Sequence, residues 1–253
     1  MTDPGDRNEE RLSLGTNSRE INHAVGREQM VLTHAVPRSE KKAAVFLLKK
    51  DAPEDIFTAA IAGHTNIVAA LLKQDPKRVN LRDYGGKAAL HWAALNGQND
   101  MVQFLIAQKA EVNGLDAEGF TALHWAAMFD KSDGAPVLLA NGADYNLKDP
   151  KFEWTPLRLA VIHGHLATAD VLLKSGSNPN LRDELELPLL LKAVLSGNQG
   201  MVALLLARQA DANAKDSAGE TALEEALAGG NQEIIGLLRR NGAQEPMRAA
   251  SEN

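Results

Sequence analysis

A leucine recurs along this chain at a nearly constant interval of 33 residues, with one step of 34. It stands at Leu90, Leu123, Leu157, Leu190 and Leu223. A second marker, an Asn three residues before an Asp, recurs in the same phase. Its copies are Asn80/Asp83, Asn113/Asp116, Asn146/Asp149, Asn180/Asp183 and Asn213/Asp216. Two independent markers that share one period indicate an array of repeats, in which each unit packs on its neighbours.

The residues around the leucines identify the kind of repeat. Leu90 and Leu123 each begin the sequence Leu-His-Trp-Ala-Ala, and a third leucine follows Thr155-Pro156. These units resemble the ankyrin repeat, whose signature is Thr-Pro-Leu-His-x-Ala in a unit of 33 residues. The resemblance covers about residues 39–244. It implies an all-α fold, an ankyrin-repeat solenoid of helix-turn-helix units joined by projecting β-hairpin-like loops.

The period also divides the chain into segments. Residues 1–38 lack it and are rich in Asn, Arg, Glu and Gly, which predicts a disordered extension, with a degenerate extra repeat as the alternative. The ankyrin-repeat domain is expected at 39–244, before a C-terminal tail at 245–253. Its parts are a partial cap at 39–52 and repeats that start near 53, 86, 119, 153, 186 and 219.

The repeat at 86–118 shows how one unit is expected to fold. In its sister units a Thr before the marker leucine can cap a first helix, and a Pro is tolerated in the first turn. Gly97 ends that helix, because Gly adopts positive φ without steric cost. Met101, Val102 and Leu105 then form the apolar stripe of a second helix. The Asn-x-x-Asp segment starts the projecting loop, which we call a finger.

The third full repeat departs from this pattern. Gly134-Ala135-Pro136 replaces Met101-Val102-Gln103, so its second helix is expected to begin late, capped by Ser132 or Asp133. Its finger is one residue longer, and the added length carries residues 150–154. The longer finger is either drift in a tolerant repeat or a loop enlarged for contact.

Composition and motifs favour binding over chemistry. The 27 basic and 33 acidic residues give a formal charge of −6, which argues against a nucleic-acid partner. The chain has no Cys, and no catalytic or phosphate-binding motif stands out, so we predict no catalytic residues. His91 and His124 lie 33 residues apart without a second ligand on either helix turn and are expected to be structural. We therefore predict that folding requires no metal and no cofactor.

The expected location follows from the apolar segments. The N-terminal residues lack the basic segment and apolar run of a secretory signal, and the apolar stretches are too short to span a bilayer. We expect a cytoplasmic monomer without membrane insertion.

Large apolar side chains occupy finger tips and helix ends that are normally polar. In the family that this chain resembles, these positions face the concave groove and vary with the partner. The candidate partner-binding residues are Tyr84, Leu95, Phe120, Met128, Phe129, Phe152, Trp154, Ile162, Leu185 and Leu187. The aromatic members are expected to form one contiguous exposed strip, because equivalent positions in adjacent repeats lie side by side once the units stack. Aromatic side chains dominate interface hot spots, so this strip is expected to carry most of the binding energy. Trp92 and Trp125 follow the signature His and are expected in the core.

The resemblance implies a protein–protein interaction module, a scaffold or adaptor. A regulatory or inhibitory subunit that masks an enzyme is the main alternative. An enzyme with an unrecognised site and a purely structural spacer are less favoured. The asparagines at 113, 146, 180 and 213 also resemble those that some asparaginyl hydroxylases modify in ankyrin arrays.

Overall fold

The structure, a computed structural model, describes residues 55–183 and 186–246. These residues form six helix pairs and one short 3₁₀ helix, Pro76–Asn80. The α-helices are α1 (Ile56–Ala62), α2 (Thr65–Gln74), α3 (Ala89–Asn96), α4 (Asn99–Ala107), α5 (Ala122–Met128), α6 (Ala135–Ala140), α7 (Pro156–Ile162), α8 (Leu166–Lys174), α9 (Leu189–Leu195), α10 (Gln199–Ala207), α11 (Ala222–Gly229) and α12 (Gln232–Arg240). The first helix of each pair carries an odd number and the second an even one.

Each marker leucine lies in the first turns of a first helix and is buried. Burial of a leucine side chain stabilises the fold by about 1.5–3 kcal/mol. The small residues Ala93 and Ala94 are also buried, and they allow α3 to pack closely on both α1 and α5. Met101, Val102 and Leu105 bury the stripe of α4 beneath the first helices. The core therefore runs from repeat to repeat between two layers of helices.

Short polar signals set the ends of the first helices. Thr121 and Thr155 each accept the backbone N–H three residues on, at 3.3 Å. Pro156 occupies the first turn of α7, where its missing N–H would have no partner. Gly97 ends α3 with a φ of 70°, in the left-handed region that the sequence predicts for this turn.

Helix α6 has six residues, whereas the equivalent helix α4 has nine. Its late start confirms the effect expected of Pro136, which lies in the first turn. The predicted cap is wrong, because the N-cap residue is Gly134 and no side chain accepts a hydrogen bond there. The turn before the helix continues to Gly134. Ser132 and Asp133 therefore lie two residues and one residue before the N-cap position.

The fingers follow one hydrogen-bond pattern with one exception. We number them 1 to 5, at residues 80–88, 113–121, 146–155, 180–188 and 213–221. In fingers 1, 2, 4 and 5 the N–H of the marker Asp donates to the carbonyl four residues on. In finger 3 the N–H of Asp149 donates to the carbonyl of Trp154, five residues on, at 3.0 Å. The extra residue is thus accommodated within the loop, and Glu153 takes a left-handed φ of 54°.

The expected all-α solenoid is confirmed for the residues that the structure describes. Within 55–183 and 186–246 there is no β-strand; the only β-type pairing consists of two isolated bridges, at the bases of fingers 4 and 5. No helix in these ranges has the length and apolar character needed to cross a membrane. The extension predicted at 1–38, the partial cap at 39–52 and the tail from residue 247 lie outside the described residues.

Candidate functional site

The Asp of fingers 1 and 2 ties the finger to a first helix. One carboxylate oxygen of Asp116 accepts two backbone N–H groups of its own finger, both at 2.9 Å. The other oxygen accepts the indole N–H of Trp125 at 2.8 Å. Asp83 accepts the indole N–H of Trp92 at the same distance. Both tryptophans are buried, which confirms that they belong to the core.

A buried lysine lies between these two tryptophans. Lys87 is 7% exposed, and its ammonium lies 4.2 Å from the ring centroid of Trp125 and 5.9 Å from that of Trp92. The same ammonium lies 3.3 Å from a carboxylate oxygen of Asp116. A buried ammonium is costly unless it is paired, and the carboxylate and the two rings offset that cost. The cluster therefore stiffens fingers 1 and 2 against the first helices.

His91 and His124 each form hydrogen bonds through both ring nitrogens. Nδ1 of His124 accepts the hydroxyl proton of Thr121 at 2.8 Å, and Nε2 donates to the carbonyl of Trp154 at 3.0 Å. His91 makes equivalent bonds, to a backbone N–H at 3.0 Å and to the carbonyl of Gly114 at 2.9 Å. Burial lowers the pKa of both imidazoles below the ordinary value of 6.5. Each neutral ring thus joins its own helix cap to the next finger.

Four of the five finger asparagines clamp their finger to the next repeat. The carbonyl oxygen of the Asn113 side chain accepts the N–H of Asp144 at 2.8 Å, and its amide donates to the carbonyl of Gly142 at 2.9 Å. Asn80, Asn180 and Asn213 make the same pair of bonds. Among the described residues, Asn146 makes no such bonds to the following repeat. Finger 3 is therefore held less firmly to the repeat that follows it.

Two of the predicted partner-binding residues are exposed at finger tips. Tyr84 in finger 1 is 70% exposed, and Phe152 in finger 3 is 44% exposed. The ring of Phe152 lies beside that of Trp154, with centroids 5.1 Å apart. The ammonium of Lys151 lies 4.7 Å from the centroid of Phe152. The tip of the enlarged finger is thus aromatic and cationic.

Two others are buried, so their expected exposure is wrong. Phe120 is 5% exposed because its ring stacks on His124 at 5.4 Å and meets Trp125 edge-on at 5.5 Å. Finger 2 therefore folds its aromatic side chain down onto the first helix. Leu95 is 8% exposed because it packs into the continuous core near the end of α3.

The remaining candidates are half-buried, and all of them except Ile162 lie against the core. They are Met128, Phe129, Trp154, Ile162 and Leu187. The ring of Phe129 stacks on that of Trp125 at 6.0 Å, and the guanidinium of Arg158 lies 5.2 Å from the ring of Trp154. Of the candidate aromatic residues, Phe120 and Phe129 thus contact Trp125, whereas Phe152 contacts Trp154. Leu185 lies outside the described residues.

The sequence prediction missed two exposed leucines, one at the end of a first helix and one in a finger. Leu195 is 54% exposed and ends α9, as Ile162 ends α7 and Met128 ends α5. It follows Ile162 by 33 residues, so the period alone could have identified it. Leu115 in finger 2 is also exposed, at a position where the other fingers carry Arg or Lys. This leucine in place of a basic residue was the sequence signal that could have identified Leu115.

Comparison with known sequences relates the chain to several repeat proteins. A family model described as ankyrin repeats (3 copies) matches residues 32–116, 56–149, 115–183 and 157–248. The palmitoyltransferase akr1 of Schizosaccharomyces pombe is 43% identical over 58 residues, which are 23% of this chain and 9% of that protein. Ankyrin repeat and SAM domain-containing protein 6 of Rattus norvegicus is 32% identical over 128 residues, 51% of this chain and 11% of that protein. The chain thus spans roughly a tenth of the length of these curated relatives.

Solved structures give matches that cover more of the chain. The ankyrin repeat domain of Bcl-3, a member of the IkappaB protein family, aligns with a TM-score of 0.69 and 26% identity, covering 77% of this chain and 88% of that one. The ankyrin repeat domain of human ASB11 aligns with a TM-score of 0.67 and 27% identity, covering 78% and 87%. The family-model matches together extend over residues 32–248, well over half of the chain. This chain therefore belongs to the ankyrin-repeat family.

Proposed function

We propose that this chain binds a protein partner through its finger tips and the ends of its first helices. Ankyrin-repeat domains generally mediate protein–protein interaction. The observation that carries the proposal is the exposure of Tyr84 and Phe152 on projecting loops. Large apolar side chains in such places are unfavourable in water unless a partner covers them, and aromatic residues are enriched among interface hot spots.

The ends of the first helices supply a second row of apolar contacts. Met128, Ile162 and Leu195 occupy the last position of three consecutive first helices, and the exposed leucine of α9 is the most accessible of the three. Before a partner binds, finger 1 is held by the bond between Asp83 and Trp92 and by the clamp of Asn80. Finger 3 lacks the asparagine clamp, but His124 bonds its backbone at the carbonyl of Trp154. A preorganised surface loses little conformational entropy on binding, which favours affinity.

A double variant, Tyr84→Ala with Phe152→Ala, tests this surface. We expect loss of partner capture by the tagged intact chain, because truncation of a hot-spot side chain typically costs about 2 kcal/mol or more. The thermal unfolding curve should stay nearly unchanged, since exposed substitutions alter stability by about 0.5 kcal/mol or less. Phe120→Ala does not suit this test, because removal of a buried Phe costs about 3–5 kcal/mol of stability.

The matched control is Leu166→Ala. Leu166 is as exposed as Phe152 but lies at the start of the second helix α8, away from the finger tips. This variant should capture the same proteins as the native chain. A folded double variant that retains those proteins would refute the proposed surface.

A regulatory role is the second candidate, since an array that covers an enzyme's site would use the same surface. It predicts that a captured enzyme loses activity in the complex. We propose no catalytic role. The similarity to the palmitoyltransferase akr1 covers only 9% of the length of that protein. A scaffold role, a cytoplasmic location and a monomeric state stay predictions from the sequence.

A further inference from the structure

Two fingers hold an arginine side chain in the gap before the next finger. Nη1 of Arg82 donates to the carbonyl of Gly86 in its own finger, at 3.0 Å, and to the carbonyl of Leu115 in finger 2. Arg182 makes the same two kinds of bond, both at 2.7 Å, within finger 4 and to finger 5. The chain thus shows twice how a guanidinium fits between two fingers.

The gap between fingers 3 and 4 lacks such an arginine. The equivalent residue of finger 3 is Lys148, whose ammonium pairs instead with Glu153 of its own finger, at 2.8 Å. A cavity of about 560 Å³ lies in this gap. Its charged wall consists of Lys148, Glu153, Arg158, Arg182, Asp183 and Glu186. The volume lies within the range of about 300–1,000 Å³ that is common for small-ligand sites.

The cations of the cavity wall already have partners, whereas the carboxylate of Glu186 has none in the part of the chain that the structure describes. The guanidinium of Arg158 lies 3.9 Å from a carboxylate oxygen of Asp183, and Arg182 donates to finger carbonyls. Glu186 is exposed, and its carboxylate has no bonding partner within the described ranges. Among the described residues Glu153 pairs only with Lys148, through one oxygen, and its side chain is 74% exposed. The cavity therefore has both the room and the acceptors for one additional cation.

We propose that this cavity receives an arginine side chain from the protein partner. A guanidinium is planar and carries five N–H donors, so it can bond a carbonyl and a carboxylate together, as a compact ammonium cannot do as well. The formal charge of −6 on the chain also favours a basic segment of the partner. The inference rests on the proposed protein-binding function. It adds one recognised residue type, beside the aromatic tip of finger 3.

The test uses Nα-acetyl-arginine amide as the probe and the full chain as the receptor. Titration followed by backbone amide NMR should give saturable shifts in fingers 3 and 4, with a Kd on the order of 1 mM for so small a ligand. Nα-acetyl-lysine amide should give no saturable shift over the same concentrations. Equal binding of both probes, or no saturable shift with the arginine probe, would overturn the inference.

Three variants sharpen the result. Lys148→Arg supplies a guanidinium to the cavity from the chain itself, so arginine binding should be lost. Lys215→Arg makes the same change in finger 5, outside this cavity, and should leave binding intact. Glu186→Gln removes the unpaired carboxylate and should weaken binding roughly threefold, the effect of one exposed charge pair. Native affinity in Lys148→Arg overturns the inference, and if that variant fails to fold, native affinity in Glu186→Gln does so.

The outcome is separable from that of the proposed function. If the chain does not bind the arginine probe but captures a partner through Tyr84 and Phe152, only the inference about the cavity is overturned. If the chain binds the probe but the double alanine variant still captures partners, the proposed surface is overturned instead.

Discussion

At the scale of single residues, the signature histidine performs two tasks, of which its substitute Glu224 performs one. In the last repeat Glu224 occupies the same place and accepts the N–H and hydroxyl of Thr221, at 2.7 Å and 2.9 Å. The carboxylate completes the helix cap, but it has no proton to donate to a following finger. His124 accepts at the cap and also donates to Trp154 in the next finger. A neutral imidazole therefore suits an internal repeat, and a carboxylate suits the last repeat described.

The pKa values of these histidines predict acid sensitivity. Burial lowers the pKa of His91 and His124, and of His163 with help from His165, so the folded chain disfavours their protonation. The unfolded chain takes up protons near pH 6.5. Stability is therefore fully present above pH 6.5 and is lost as the pH falls through the lower folded-state pKa values. The free energy of unfolding, measured with urea from pH 7 to pH 5, should decrease.

His124→Gln is the control for this prediction. It removes one titrating group, so the decrease between pH 7 and pH 5 should become smaller, although the variant starts from a lower stability. Asp170, whose pKa is lowered mainly by its hydrogen bond to Lys174, loses its contribution only below about pH 4 and cannot mimic the effect. A native chain with constant stability from pH 7 to pH 5 would contradict the prediction.

At the scale of helices and fingers, the sequence predicted the backbone better than the side-chain directions. The Thr at 155 and the stripe of α4 are local signals, and the helices begin and pack where those signals indicate. Phe120 and Trp154 occupy equivalent finger positions, yet only Phe120 is fully buried. Phe120 stacks on His124, whereas the equivalent helix of Trp154 presents Arg158. The period fixes the position of a loop residue, but its exposure depends on the ring or charge that it meets across the gap.

Helix α6 should open more readily than its counterpart. It has six residues instead of the nine of α4, and Gly134 and Ala135 stand where α4 buries the larger side chains of Met101 and Val102. We expect faster hydrogen exchange at residues 130–137 than at 97–104, measured by NMR or mass spectrometry under native conditions. Equal or slower exchange at 130–137 would show that other packing compensates for the shorter helix and its smaller buried side chains.

At the scale of the whole array, stability depends on the contacts between neighbouring repeats. In such a chain the free energy of folding is close to a sum of unit and interface contributions. Among the described residues, the third repeat lacks two kinds of interface bond that other repeats make: Asn146 does not clamp the next repeat, and Lys148 does not bridge to finger 4. The same repeat exposes Phe152 and borders the cavity between fingers 3 and 4. These contacts of the third repeat are therefore available to a partner, and a partner that occupied this gap would supply the missing bridge.

A pair of asparagine variants measures how far these interfaces hold the array together. Asn113→Ala removes two bonds to the following repeat, at 2.8 Å and 2.9 Å, so it should lower the free energy of unfolding by about 1–2 kcal/mol. Asn146→Ala is the same change one repeat later, where no such bonds exist among the described residues, and it should cost about 0.5 kcal/mol or less. Urea unfolding followed by circular dichroism gives both values. Equal losses would show that the marker asparagine acts within its own finger, and the clamp between repeats would then contribute nothing measurable to the stability of the array.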